Sequence, residues 1–274
     1  MPLALVISSH VAASRVGGAA QATALAHLDI ETMTVPTVLF GRHPGWGPPG
    51  GAAVAAETVE AMLGGVAANG LFAQVDLVLT GYFASAAQVA AAARAIAAVR
   101  AAGSARIVVD PVMGDVGKGL YVAAEVAEAI AADLAPAADL LAPNAWELEH
   151  LSGLSVQDPA QAVAAARSLH RPVLVSSVPA GDGIGVVYAD ADDAWLAAHP
   201  RFPAAPNGTG DILTAVFAAA QLQGLAPADA LARAAGAVAE LAAAAQPGAA
   251  PELALGAARP LLAAPSSLVR LERL

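Results

Sequence analysis

The sequence predicts an α/β protein whose core is a three-layer, doubly wound, mostly parallel sheet, and two observations carry that expectation. Short β-branched or leucine-rich runs alternate with alanine-rich stretches of helical character, the pattern of repeated βαβ units. Residues able to do chemistry also cluster just after those runs, where open sheets of this class hold their ligands.

Taken in order, the expected strands are Leu3 to Ile7, Thr32 to Val35, Val75 to Leu79, Arg106 to Val109, Val173 to Val175 and Ile184 to Tyr188. Helices are expected between them at Gly18 to His27, Ala53 to Ala68, Ala86 to Ala102, Ala124 to Ala132, Ala145 to Leu151 and Pro159 to Leu169. Asp158 and Pro159 suit the N-cap and first position of the last of these, and Pro172 closes it before the next strand. Past Tyr188 the pattern changes to a strand-like Ala194 to Ala198, a proline-rich loop from Pro200 to Pro206, and two or three helices reaching Leu262. Neither an internal repeat nor a disordered linker interrupts the chain, so residues 1–274 are expected to form one domain. Pro44 to Gly51 is a glycine- and proline-rich loop long enough to move over a site.

Composition removes several classes of function. The hydrophobic fraction of 57% is inflated by alanine, and the stretch Ala84 to Ala102 is broken by Gln88, Arg94 and Arg100. It reads as a packed helix, because a membrane span needs about 20 mostly apolar residues. Met1, Pro2 and Leu3 run directly into Ala4 to Ile7 without the basic region and cleavage site of a secretory signal, which predicts a cytoplasmic protein. With no cysteine there are no disulfides, thiol nucleophiles or cysteine-zinc sites. A net charge of −10 argues against nucleic acid, whose binding relies on lysine and arginine neutralising phosphates. A small polyanion remains open, held by backbone amides and a metal.

Pro206, Asn207, Gly208, Thr209, Gly210 and Asp211 lead straight into the apolar stretch Ile212 to Leu222. Glycines that free the backbone at a helix start let amides converge on an anion, with a carboxylate beside them. The plainer alternative is that Thr209 or Asp211 only caps the helix. A second segment, Val109 to Tyr121, carries Asp110, Asp115, three glycines and Lys118; Asp110 is placed for a hydrated cation and Lys118 for phosphate oxygens, unless this is an ordinary solvated turn. In a third, Asn144 and Glu147 lie three apart at a helix start and share a face. They suit water-mediated magnesium, or a capping box in variant form, and the two are compatible.

Competing motifs fail. Glu147 and His150 make one ExxH pair where a di-iron bundle needs two. Gly181 to Gly185 leads into a strand, as a hairpin does, and not into a helix as in a dinucleotide fingerprint. GxSxG and HExxH are absent, and His27, His170 and His199 are scattered.

In this order and spacing, Ser9-His10-Val11, Gly81-Tyr82, Asp110 to Asp115 with Gly117 to Val122, Pro143 to Leu148 and Gly208 to Asp211 resemble the pyridoxal kinases of the ribokinase-like superfamily, over about residues 5–245. The resemblance implies a ribokinase-like fold, transfer of the γ-phosphoryl of ATP to the 5′-hydroxymethyl of pyridoxal, Mg2+ with a monovalent cation as a further option, and a homodimer. By the same resemblance Asp211 is the catalytic base and the amides of Gly208, Thr209 and Gly210 form the anion hole. Asp110 and Glu147 support the metal, while Asn144 and Ser176 join them at the nucleotide. Ser9, Pro44, Tyr82 and Asp211 face the acceptor, although Tyr82 also suits a core position. Ala12 to Arg15 and Pro44 depart from the pattern, Pro44 standing where relatives carry a threonine. Both changes lie on the acceptor side, and hydroxymethylpyrimidine or another small alcohol is the alternative acceptor. A non-catalytic relative is the third reading, against which the intact Gly208 to Asp211 segment speaks.

Overall fold

The computed structural model describes residues 1–202, 205–245, 252–265 and 268–274. Strand β1 (Leu3–Val11) leads through α1 (Gly17–His27) to β2 (Glu31–Phe40), then to the short β3 (Gly51–Ala53), α2 (Ala56–Ala68), β4 (Leu77–Thr80), α3 (Ala86–Ala102) and β5 (Arg106–Val109). A two-stranded hairpin, β6 (Gly114–Asp115) with β7 (Gly119–Leu120), precedes α4 (Ala124–Ala129), β8 (Leu140–Leu141), α5 (Ala145–Ser152) and α6 (Pro159–Ser168). Three long strands, β9 (Val173–Ala180), β10 (Gly183–Ala189) and β11 (Ala194–His199), come before α7 (Thr209–Leu222), α8 (Pro227–Ala243), α9 (Arg259–Ala263) and β12 (Arg270–Arg273).

Ten strands form one sheet in the order β12-β11-β10-β9-β8-β5-β4-β1-β2-β3. The pairs from β2 across to β9 are parallel, and antiparallel strands extend both edges. Alternate residues of β1 feed two separate cores: Leu5 and Ile7 pack with α2 to α6, whereas Ala4 and Val6 pack with α1, α7, α8 and α9. Burial on both faces explains why β1 reads as an unbroken apolar run and not an alternating one. Because the chain leaves β1 for one face and β4 for the other, a crevice opens at their carboxyl ends, the switch point where such sheets take ligands.

Several boundaries differ from the sequence expectation for identifiable reasons. Strand β2 runs through Pro36 to Phe40, which is tolerated because β3 covers only Val38–Phe40 and leaves Pro36 on an open edge. Ala53 belongs to β3, so α2 starts three residues late. Helix α4 gives way to a π-turn at Ile130–Leu134. The Gly181-Asp182 turn does close a hairpin, with Ala180 opposite Gly183. β12 carries no apolar alternation and is exposed throughout, so pattern alone did not mark it. Of the expected loop 200–206, residues 203 and 204 lie outside the described residues. No described helix is long and apolar enough to cross a membrane.

One buried amide fixes the crevice wall. Gln88 at the start of α3 donates from Nε2 to the carbonyls of Thr37 (2.8 Å) and Val54 (2.6 Å), and its Oε1 accepts from the Ala84 amide (2.8 Å). Thr37 in turn donates to the Tyr82 carbonyl (2.6 Å), so β2, the approach to α2 and the loop after β4 share one network. Gln88→Leu should cost about 3 kcal/mol, since it strands the Ala84 N–H and Val54 carbonyl in the interior. Urea denaturation with an unchanged m-value is the measurement; a loss under about 0.5 kcal/mol would show the network to be dispensable.

Candidate active site

Helix α7 opens on Gly208, whose φ of 90° is open to glycine and strained for other residues. A side chain there would also strike the Arg15 carbonyl. No side chain caps the helix, which removes the plainer reading of Thr209 and Asp211. Among the described residues the amides of Gly208, Thr209 and Gly210 donate to no protein acceptor, and the helix dipole adds partial positive charge to them. Asp211 is the third helical residue, and its Oδ2 accepts from the Gly17 amide at 2.8 Å, tying α7 to the start of α1 across 194 residues of sequence. Gly17 has φ 57°, and a side chain on it would collide with the Ser9 hydroxyl.

A second tie gathers the β5 and β8 ends. Asn144 and Glu147 form a full capping box: Asn144 Oδ1 accepts from the Glu147 amide (2.9 Å) and Glu147 Oε2 from the Asn144 amide (2.9 Å). The rest of each side chain reaches into the loop after β5. Glu147 Oε1 accepts from the Met113 (2.8 Å) and Gly114 (3.3 Å) amides, and Asn144 Nδ2 donates to the Gly114 carbonyl (2.8 Å). That grip holds Val112 at φ 39°, a backbone state that β-branched residues rarely occupy. Ser176 is bridged beside Asn144 through its amide to the Pro143 carbonyl (3.0 Å). Asp110 is buried at the end of β5, where its Oδ2 lies 3.1 Å from the Thr214 hydroxyl.

Two cavities meet over these elements. The first, of about 400 Å³, is lined by Asp110, Asn144, Glu147 and Ser176 together with Gly208, Thr209, Gly210 and Asp211. The second, of about 560 Å³, is lined by Ser9, Pro44, Tyr82 and Asp211. Both volumes fall in the range of small-molecule sites, roughly 300–1,000 Å³. Asp211 and Gly208 line both, as do Val112, Asp115, Tyr121 and Asn207. Lys118, read from the sequence as suited to phosphate oxygens or as part of a solvated turn, lines the second cavity, with Nζ 3.9 Å from Asp115 Oδ2. His150 stacks on Trp146 at 5.5 Å between ring centres. Sequence reasoning did not assign Tyr121, Thr214 or Gly17. Thr214 was within reach, because it lies three residues after Asp211 on one helix face. Gly17 acts through its amide, and an amide leaves no mark in a sequence.

Buried carboxyls dominate the electrostatics. Asp110 is pushed well above the usual carboxylate range, first by burial and then by Glu147 and Asp211, against the Thr214 and Val112 hydrogen bonds. Burial raises Glu147 to about 7 in spite of its three amide donors. Burial also raises Asp211 to about 6, opposed by the Gly17 amide. Burial and the surrounding carboxylates push the Tyr121 phenol up as well. Like charges crowded together in this way suit a divalent cation. Among the described residues no three acidic or histidine side chains converge as a ready-made metal cage. Asp110 and Asn144 bring oxygen donors to one wall of the first cavity, and sparse oxygen donors of this kind are what magnesium uses when it keeps several waters.

The Asp211 shift carries a stability prediction. The folded carboxyl is the weaker acid, so its contribution is present below the ordinary value of 3.8 and is lost as pH rises through about 6. Thermal unfolding from about pH 4 to about pH 7 should show the wild type losing ground steadily to Asp211→Asn. Parallel curves for the two proteins would rule out the burial effect.

The sequence matches the family model described as phosphomethylpyrimidine kinase over residues 17–251. It is 37% identical over 228 residues to the pyridoxal kinase of Deinococcus radiodurans, spanning 78% of this chain and 76% of that one. Identity to the pyridoxal kinase of Corynebacterium diphtheriae is 34% over 250 residues, covering 86% and 87% of the two chains. Pyridoxal kinase from Leishmania donovani in complex with ADP and ginkgotoxin superposes with a TM-score of 0.92 at 27% identity, with complete coverage of both chains. With a family model and relatives that span most of its length, the chain belongs to the phosphomethylpyrimidine kinase family, in the ribokinase-like company of these pyridoxal kinases.

Proposed function

We propose that this protein transfers the γ-phosphoryl group of MgATP to the hydroxymethyl oxygen of pyridoxal. The observation that carries the reading is the position of Asp211 and Gly208 on the shared wall of the two cavities. A donor in one cavity and an acceptor alcohol in the other would meet at that wall. The relatives named above support this choice of donor and acceptor.

In this reading the first cavity takes the nucleotide against Asn144 and Ser176, and the second takes the pyridine ring against Ser9, Pro44 and Tyr82. Asp211 accepts the hydroxyl proton as the oxygen attacks the γ-phosphorus and the bond to the bridging oxygen breaks. Asp211 suits a base because its raised pKa brings it nearer the working pH while leaving it ionised at neutrality. The amides of Gly208, Thr209 and Gly210 receive the charge spread over the transferring group, and positioning of this kind supplies most of the catalysis in phosphoryl transfer. Asp110 and Glu147 would hold Mg2+ through its waters, and the ion when bound neutralises phosphate charge. Glu147 has both oxygens committed to backbone amides, so Asp110 carries the larger share.

Purified protein with MgATP and, in parallel, pyridoxal, pyridoxine, hydroxymethylpyrimidine or ribose tests the proposal. Pyridoxal phosphate should form, with kcat/KM rising through about pH 6, and Asp211→Asn should lower kcat by about 10²-fold or more. Equal rates for the two proteins would remove Asp211 as the base. Turnover of hydroxymethylpyrimidine in preference to pyridoxal would reassign the acceptor.

A further inference from the structure

Of the 13 lysines and arginines in the chain, Lys118 is the only lysine. It lies at the turn of the β6–β7 hairpin and lines the second cavity together with Asp211, Asp115, Tyr121 and Tyr82. Its side chain is 63% exposed and is held loosely by Asp115. An amine differs from every arginine in one respect that matters here: it can lose its proton and act as a nucleophile, whereas a guanidinium stays charged.

We propose that Lys118 captures the aldehyde of the acceptor as a reversible imine, and so selects the aldehyde vitamer over its alcohol and amine counterparts. The inference rests on the pyridoxal reading above. In pyridoxal the formyl and hydroxymethyl groups occupy neighbouring ring carbons, so a ring with its alcohol at Asp211 has its aldehyde inside the cavity that Lys118 also lines. The ammonium first releases a proton to solvent. The neutral nitrogen then attacks the carbonyl carbon to form a C–N bond, and the carbonyl oxygen leaves as water. No oxidant or reductant is consumed, and hydrolysis returns the free amine and aldehyde. Pyridoxine and pyridoxamine carry no aldehyde and cannot react in this way. The hydroxymethyl group takes no part, so a captured ring still offers its oxygen to Asp211.

Trapping without nucleotide separates this proposal from the kinase reading. Full-length protein is mixed with pyridoxal, reduced with borohydride at intervals, and mapped by peptide mass spectrometry, with the Met1 α-amine (84% exposed residue) as an internal reference amine. Lys118 should be labelled at least about tenfold faster than Met1, as expected of a nucleophile held beside its target. Excess pyridoxine should suppress labelling at Lys118 and leave Met1 unaffected, and Lys118→Arg should carry the adduct at Met1 alone. Labelling of Lys118 no faster than Met1, or not suppressed by pyridoxine, would overturn the proposal. Phosphate transfer to pyridoxal by Lys118→Arg reports on the kinase reading by itself, since residue 118 can form no imine there.

Discussion

The hydrogen bond from the Gly17 amide to the Asp211 carboxylate is the constraint on which the site depends. It joins two helix starts on the same face of the sheet and fixes the third residue of α7 at the boundary between the cavities. Without it a buried carboxylate would face Asp110 with no donor, and burial would drive its pKa further up. The glycine at position 17 is dictated from two sides, by its positive φ and by the Ser9 hydroxyl that a side chain would meet. A residue of the second cavity thereby sets the geometry of the group that serves both.

Glu147 plays the matching part on the other flank. Its carboxylate gathers three amides from two segments and holds the loop after β5 in a form that leaves Val112 at positive φ. Strain of that sort persists only where the surroundings over-determine it, and it is common beside functional centres. The two readings of Asn144 and Glu147 are therefore compatible: a capping box built from a buried acid brings negative charge next to Asp110, and negative charge there favours a bound cation.

Much of this was legible in the sequence, and what was missed follows a rule. The parallel strands showed because burial on both faces leaves continuous apolar runs such as Leu3 to Ile7. Residues at their carboxyl ends could be located from topology alone, and Asp110, Asn144, Ser176 and Asp211 do line one cavity. Edge strands β3 and β12 were not visible, since three or four exposed residues bury no patterned face. The side of the site that Lys118 faces was not legible, because a glycine-rich loop gives spacing without direction; the hairpin sets it at the second cavity. Partners that act through main-chain groups, such as the Gly17 and Met113 amides, were beyond any reading of side-chain types.

The start of α7 presents peptide groups to the site, whereas side chains such as Ser9, Pro44 and Tyr82 stand in the second cavity's lining. Substitution over generations alters side chains and leaves N–H groups in place. A lineage with this architecture can exchange side chains such as Pro44 while the peptide groups at the start of α7 stay as they are. Divergence of acceptor preference among proteins of one fold is then the cheap direction of change, and loss of the donor end the costly one.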